Sequence, residues 1–309
     1  MFIDSLSGHF DIVVRNAETH AVTRRLSFDN LITNIGLRTY CGSGEINYGY
    51  YGPYCLLGKG QNTPAVTDQF LGSFFASSRA FFDTYIAGVS PDWVWGKLVT
   101  SRFNAGFSNG DAITEIGIGG EDQKLWCRAL ILDELGRPTS LVVLPNEYLD
   151  VTYTLYYHPD LTDKQFTFTM SGVTYSCIAR AATVGYIPLR SNVFIGTPFG
   201  CGVVYGSQTL GQVTDAPSTA EGFETNLFGA SRVAWNSETP FTQRSLQTLP
   251  VDAYNIAGGI GSMLVMGASE NAGGIESRSQ ISISPKLPKD ANSQITLTFA
   301  KTISRWTAP

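Results

Sequence analysis

Most of the chain consists of short runs of alternating apolar and polar residues, separated by turn residues. The clearest run is 150–157, where every second residue is apolar: Val151, Tyr153, Leu155 and Tyr157. A period of two is typical of a strand with one buried face. The same pattern or strand-rich composition predicts further strands at 10–15, 21–28, 54–58, 79–86, 93–103, 112–117, 125–132, 166–170, 173–178, 241–249, 261–266, 278–284 and 294–306. These strands predict an all-β fold.

Two short helices are expected in the N-terminal half. Asp29 or Asn30 is positioned to cap the first, because a short polar side chain lies just before apolar residues at helical spacing. Thr67 or Asp68 is the corresponding cap for the second, which would include residues 70–74.

A polar segment containing a proline, 158–163, lies near the middle of the chain. Domain boundaries fall in segments of this kind. We therefore expect two antiparallel domains of β-sandwich or jelly-roll type, an N-terminal one over residues 1–160 and a C-terminal one over 161–309.

Charged residues make up only 15% of the 309-residue chain, against about 25% in typical soluble domains. So few charges indicate that part of the surface is covered by other subunits, and a homo-oligomer is expected. The net charge of −5 argues against nucleic acid as the main partner. The sequence has neither an apolar run long enough to span a bilayer nor a secretory leader at its N-terminus, so we expect no membrane partner.

Nothing in the pattern predicts a cofactor or a metal. The five cysteines have no tight spacing and there are only three histidines, whereas a zinc site needs three or four converging ligands. Most of the thiols are expected to be buried, in a protein folded in a reducing cytosol. The glycine-rich segments 58–60 and 257–261 lack the pattern of a phosphate-binding loop, and turns and bulges explain them better.

Catalytic residues are not assigned either. No GxSxG motif accompanies His9, His20 or His158, so a hydrolytic triad is disfavoured. A pair of acids on adjacent strands would suffice for glycoside hydrolysis, and this alternative stays open. Asp133 and Glu134 are interpreted as turn residues and Glu147 as an acceptor of backbone N–H groups or an edge-strand charge; the other candidate acids are Asp150, Glu221 and Glu224.

A cluster of tyrosines in a glycine-rich segment is the best candidate for a binding surface. Tyrosines on loops anchor protein partners or stack on sugars, but they also pack within their own domain. Both interpretations stay open for the members of the cluster: Tyr40, Tyr48, Tyr50, Tyr51 and Tyr54.

Several segments, in their order along the chain, resemble virion proteins of tailed bacteriophages. These are FDNLITNIGL (28–37), LGKGQNTPAVTD (57–68), TEIGI (114–118), RALIL (128–132), EYLDVTY (147–153) and PKLPKD (285–290). The resemblance covers residues 26–157 well and the C-terminal fifth loosely.

The resemblance implies a virion location, with assembly in the host cytoplasm. Such proteins are tail, neck, collar or baseplate appendages and fibre-attachment pieces, usually symmetric oligomers, and their partners are other virion proteins and copies of themselves. We therefore expect a non-catalytic structural component that joins subunits or anchors fibres. The alternatives are a tail protein that binds a receptor or host surface glycan and, less favoured, a polysaccharide-degrading enzyme.

Overall fold

The computed structural model describes nine ranges of the chain: 2–41, 45–47, 53–89, 94–187, 199–213, 223–224, 231–235, 241–267 and 274–307. Within these ranges the protein is built from strands and one short helix, which confirms the all-β prediction. That part of the chain contains no helix long and apolar enough to cross a bilayer.

The strands range from two-residue pairings to long strands. The N-terminal half contains β1 (Phe2–Asn16), β2 (Val22–Asp29), β3 (Leu31–Ile32), α1 (Asn34–Tyr40), β4 (Tyr54–Gly58), β5 (Phe74–Val89), β6 (Val94–Phe103), β7 (Ala112–Ile113), β8 (Glu115–Gly119), β9 (Leu125–Leu130), β10 (Leu141–Val142) and β11 (Glu147–Pro159). The C-terminal half contains β12 (Lys164–Met170), β13 (Val173–Ile187), β14 (Phe199–Tyr205), β15 (Phe223–Glu224), β16 (Ser231–Trp235), β17 (Phe241–Leu249), β18 (Ile260–Gly267), β19 (Gly274–Leu287) and β20 (Ile295–Arg305).

The largest sheet contains strands from both halves of the chain. Its order is β16-β17-β20-β1-β11-β6-β5-β4-β8-β9-β3, and β2 pairs with β1. Neighbours are antiparallel except β1 and β20, which run parallel from Phe2 paired with Lys301 to Leu6 paired with Arg305. Lys301 Nζ lies 2.6 Å from Asp4 Oδ2, so a buried ion pair joins the first and last strands. The division of the chain at residue 160 stays a prediction.

A second sheet has six strands in the order β12-β13-β19-β18-β14-β15, and β7 and β10 form a separate two-stranded pair. The described residues form two main hydrophobic clusters, and the second combines residues of the six-stranded sheet with residues of β17 and β20 from the largest sheet. One draws mostly on residues 6–157 and the other on residues 175–299.

Strand β11 follows the alternation predicted from its sequence. Val151, Tyr153, Leu155 and Tyr157 are buried, and the strand lies between β1 and β6. Every second side chain of a strand points to the same face. These four residues therefore contribute to the first core together.

The first helix begins later than expected. Residues Leu31 and Ile32 pair with Arg128 and Cys127 of β9, so they form β3 instead of a helical turn. Thr33 is the actual cap, and its hydroxyl oxygen accepts a hydrogen bond from the backbone N–H of Gly36 at 2.9 Å. The predicted caps, at residues 29 and 30, were wrong because an edge strand precedes the helix.

The second predicted helix is absent, since residues 67–73 form turns and irregular backbone and Phe74 begins β5. A helix would have directed the N–H groups of Gly72 and Ser73 to carbonyls one turn earlier. They donate to the carboxylate of Glu115 instead. A distant acid therefore determines this backbone, which local spacing did not indicate.

Candidate functional site

The tyrosine cluster is only partly within the described residues. Tyr40 is buried, 6% exposed, and its ring centroid lies 6.3 Å from that of Trp126. Burial raises the pKa of its hydroxyl, chiefly through desolvation. Tyr54 is half-buried against a small apolar cluster around Leu71. Tyr40 and Tyr54 thus make intradomain contacts, Tyr48, Tyr50 and Tyr51 lie outside the described residues, and the interface role of the cluster stays a prediction.

The most elaborate polar arrangement is the Glu115 network, centred on a fully buried carboxylate in β8. One oxygen of Glu115 accepts the N–H groups of Gly60 at 2.7 Å and Ser73 at 2.8 Å. The other accepts the N–H of Gly72 at 3.1 Å and lies 2.8 Å from Arg128 Nη2. Five donors converge on this one carboxylate when Nε of Arg128, at 3.0 Å, is included.

Arg128 connects the network to the far end of the loop. Its side chain is 3% exposed and lies in β9, which pairs with β8. Nη1 donates to Asp68 Oδ2 at 2.6 Å and Nη2 to the backbone carbonyl of Asn62 at 2.9 Å. The guanidinium thus uses its planar array of donors to bind the loop at two places.

The Glu115 network explains why these residue types occur together. It fastens the loop of residues 59–73 to the β8–β9 hairpin, and its members belong to segments that carry the resemblance. Gly60, once considered for phosphate binding, donates its N–H to Glu115 instead. A Cβ at Gly60 would lie 2.4 Å from the Glu115 carboxylate, so glycine is required for the close approach.

The segment around Thr33 is a second such contact. The Thr33 hydroxyl lies 2.7 Å from the carbonyl of Leu125, and its backbone N–H donates to the carbonyl of Trp126 at 2.9 Å. A Cβ on Gly36 would come within 2.2 Å of the Trp126 carbonyl. These residues therefore hold the start of α1 directly on β9.

Three of the acids considered for glycoside hydrolysis, Asp133, Glu147 and Asp150, are engaged in structural contacts. Asp133 accepts backbone N–H groups of its own turn and the side chain of Arg137, which confirms it as a turn residue. Glu147 is buried and accepts the N–H of Leu144 and the hydroxyl of Thr23, as its interpretation as a backbone acceptor predicted. Burial acts to raise the pKa of Glu147, but these hydrogen bonds and Arg24 outweigh it and lower the pKa.

The remaining acids fall into three cases. Asp150 forms a two-pronged ion pair with Arg102, at 2.6 and 2.8 Å. Glu134 is exposed at the hairpin turn. Glu221, and the side chain of Glu224, lie outside the described part of the structure.

One constellation was not found from the sequence. On the outer face of β1 and β2, His9 Nδ1 lies 2.6 Å from Asp29 Oδ1 and Nε2 lies 2.7 Å from the Ser27 hydroxyl. This is the order of contacts in a hydrolytic triad. However, the Ser27 hydroxyl donates to Asp11 at 2.9 Å, and the cross-strand pairing of His9 with Asp29 lies within the β1–β2 ladder.

The four cysteines whose side chains are described are buried free thiols, as expected: Cys41, Cys55, Cys127 and Cys177. Desolvation raises the pKa of each, to about 12 for Cys41 and Cys127 and to about 11 for Cys177. In the described part of the chain, no three His, Cys, Asp or Glu side chains lie together as a metal site would require.

The outer face of the large sheet carries an aromatic–arginine row, which consists of Phe81, Arg102, Tyr148 and His20. The Arg102 guanidinium carbon lies 5.5 Å from the Phe81 ring centroid and 4.6 Å from that of Tyr148. Tyr148 in turn meets His20, with ring centroids 6.0 Å apart. The row crosses β5, β6 and β11 and reaches the β1–β2 turn.

Comparison with known proteins identifies no family model that matches this chain, and no significant match among curated proteins or solved structures.

Proposed function

We propose that this protein is a non-catalytic structural component of a phage virion, in the tail, neck, collar or baseplate region. It would join neighbouring subunits or anchor fibres, with two antiparallel domains of sandwich or jelly-roll type as its rigid body. The observation that carries the proposal is a pair of exposed phenylalanines in β5, one of which belongs to the aromatic–arginine row.

Phe81 and Phe82 are 61% and 54% exposed. They lie in β5, which pairs with β6 at this point, whereas the pairing of β5 with β4 ends at Arg79. The register between β5 and β6 shifts between Ala80 and Phe82. A bulge of this kind redirects a side chain. It accounts for two consecutive phenylalanines that are both exposed to solvent.

The neighbouring side chains have the composition of a protein-binding surface. Aromatic residues and arginine are enriched in interfaces and supply most of the binding energy. Arg102 is held in place by its two-pronged contact with Asp150, so little side-chain entropy is lost when a partner binds. Covering the exposed part of each phenylalanine would contribute roughly 1–2 kcal/mol.

A second copy of the chain is the partner that the composition favours. A chain with 15% charged residues has few charges with which to keep copies apart. Virion components are repeated, so a weak contact between two copies is multiplied by symmetry.

Sedimentation velocity over a range of concentrations tests the proposal. The wild type is expected to form oligomers, and the double variant Phe81→Ser/Phe82→Ser to sediment mainly as a monomer with an unchanged circular dichroism spectrum. The control is Leu135→Ser, because Leu135 is 73% exposed in a hairpin turn away from the row. A wild type that stays monomeric at about 100 µM, a concentration at which contacts of −6 kcal/mol are populated, would overturn the proposal.

A further inference from the structure

A cleft of about 890 Å³ opens at one end of the six-stranded sheet. The β12–β13 turn, the segment 255–259 and the segment 286–295 form its walls. Its size falls within the range of small-molecule sites, about 300–1,000 Å³. The cleft lies in the C-terminal half, and none of its walls belongs to the aromatic–arginine row.

A buried ammonium group lies at the wall of this cleft. Lys289 is 4% exposed, and its Nζ donates to Asn255 Oδ1 at 2.6 Å and to the backbone carbonyl of Asp290 at 2.9 Å. Both acceptors belong to residues that line the cleft, so the charge lies beside the open space. Both are also uncharged groups. An ammonium has three N–H donors, and these contacts use two.

The other charged groups facing the cleft are Lys286 and the Asp290 carboxylate. Asp290 is exposed, and its carboxylate accepts the N–H of Asn292 at 3.0 Å, which closes its own turn. It makes no ion pair with Lys289 within the described structure. The walls therefore carry two positive charges and one negative charge, and the negative one is directed to local backbone.

We propose that this cleft binds an oxyanion group, a carboxylate or a phosphate ester, of a small polar ligand beside Lys289. The Asp290 carboxylate attracts Lys289 but makes no hydrogen bond to its ammonium, so the burial of this charge is only partly compensated. A charge-assisted hydrogen bond to the remaining N–H would offset the rest of that cost. Lys286 adds a second attraction, and the exposed amide of Gln294 offers neutral donors to the rest of the ligand. This site goes beyond the assembly role and does not depend on it.

Titration of the isotope-labelled full chain, followed by the amide resonances of Gly258 and Gly259, tests the proposal. Inorganic phosphate and glucuronate are the probes, glucose is the neutral control, and ionic strength is held constant with chloride. Saturable shifts with either anion and none with glucose are expected. Shifts with phosphate alone would indicate that the ligand carries a phosphate ester, and shifts with glucuronate alone that it carries a carboxylate. Both outcomes support an oxyanion site. Shifts with neither anion, or equal shifts with glucose, would overturn it.

Lysine variants test where the anion binds. Lys289→Met is expected to weaken binding about tenfold or more, the effect of losing one charged hydrogen bond. The matched control is Lys164→Met, because Lys164 lies at the opposite end of β12. If Lys289→Met does not fold, Lys286→Met replaces it, with an expected weakening of several-fold. Binding that is unchanged in the folded variant at either position would overturn the proposal, whatever the oligomeric state.

Discussion

The Glu115 network gives the sharpest prediction about stability. In Glu115→Gln the shape of the side chain is kept, but one acceptor oxygen becomes an NH2 group. That group would face either the Arg128 side chain and the N–H of Gly72, or the N–H groups of Gly60 and Ser73. In both orientations, donors point at donors in a site with no exposure to water.

The magnitude follows from what the substitution leaves uncompensated. Breaking a buried ion pair by altering one partner costs about 3–5 kcal/mol. Arg128 keeps its contacts with Asp68 and with the carbonyl of Asn62, which favours the lower end, about 3 kcal/mol. The unfolding entropy is about 2.1 cal/mol/K for each of the 309 residues, so 1 kcal/mol corresponds to about 1.5 °C and the melting temperature should fall by roughly 5 °C.

Thermal unfolding followed by circular dichroism measures the loss, with Glu134→Gln as the matched control because Glu134 is exposed at a turn. Hydrogen exchange supplies a local measurement, since the amides of Gly60, Gly72 and Ser73 should exchange faster in Glu115→Gln. The double variant Glu115→Gln/Arg128→Met should lose less than the sum of the two single losses, because it leaves no unpaired charge in that contact.

A fall of less than about 1.5 °C, close to 1 kcal/mol, would refute the reasoning. It would mean that the cost of desolvating Glu115 and Arg128 cancels their attraction. The network would then fix the position of the loop without adding net stability. Unchanged exchange at the three amides would refute the proposed attachment of the loop as well.

Further expectations concern a close backbone contact, acid stability, thiol reactivity and the triad-like cluster. Gly36→Ala should lower the melting temperature, because its Cβ would come within 2.2 Å of the Trp126 carbonyl. The control is Gly172→Ala, whose Cβ would meet open space, so that variant measures only the cost of a positive φ. The pKa of Glu147 is lowered in the folded state, so its ionised carboxylate stabilises the fold at pH values above the ordinary pKa of a carboxyl group. This contribution should disappear as the pH falls through the lowered pKa. The unfolding midpoint of Glu147→Gln should therefore depend less on pH below about 5 than that of the wild type. At pH 8 the native protein should resist alkylation by iodoacetamide at its four described thiols, by peptide mass spectrometry, and react there only after unfolding. Purified protein should not hydrolyse p-nitrophenyl acetate faster than its Ser27→Ala variant; a rate that depends on Ser27 would contradict a non-catalytic role.

Local pattern was sufficient for much of the fold. The period-two alternation of 150–157 predicted the buried face of β11, because a strand between two neighbours must bury whichever face is apolar. The interpretation of Asp133 as a turn residue was also correct, since its carboxylate accepts backbone N–H groups of its own turn and Gly136 there adopts a φ of 71°. Both signals lie within a few residues of the structure they determine.

Long-range contacts were beyond that kind of inference. Nothing near Thr67 or Asp68 shows that Glu115, more than forty residues later, takes the donors a helix would use. The parallel pairing of β1 with β20 depends on the register of strands nearly 300 residues apart. The contact of His9 with Ser27 and Asp29 depends on one particular register of the first hairpin, which a one-residue slip would abolish.

Three of the segments that resemble virion proteins are explained by internal contacts. Gly60, Asp68, Glu115 and Arg128 satisfy one another, so their residue types are determined by a loop that must be fastened to a hairpin. Such residues stabilise the fold and do not bind a ligand, because their donors and acceptors are already used within the network. What the protein binds must therefore be sought among side chains that the Glu115 network does not use. The exposed face at Phe81 and the cleft beside Lys289 are surfaces of that kind, and each has its own experiment.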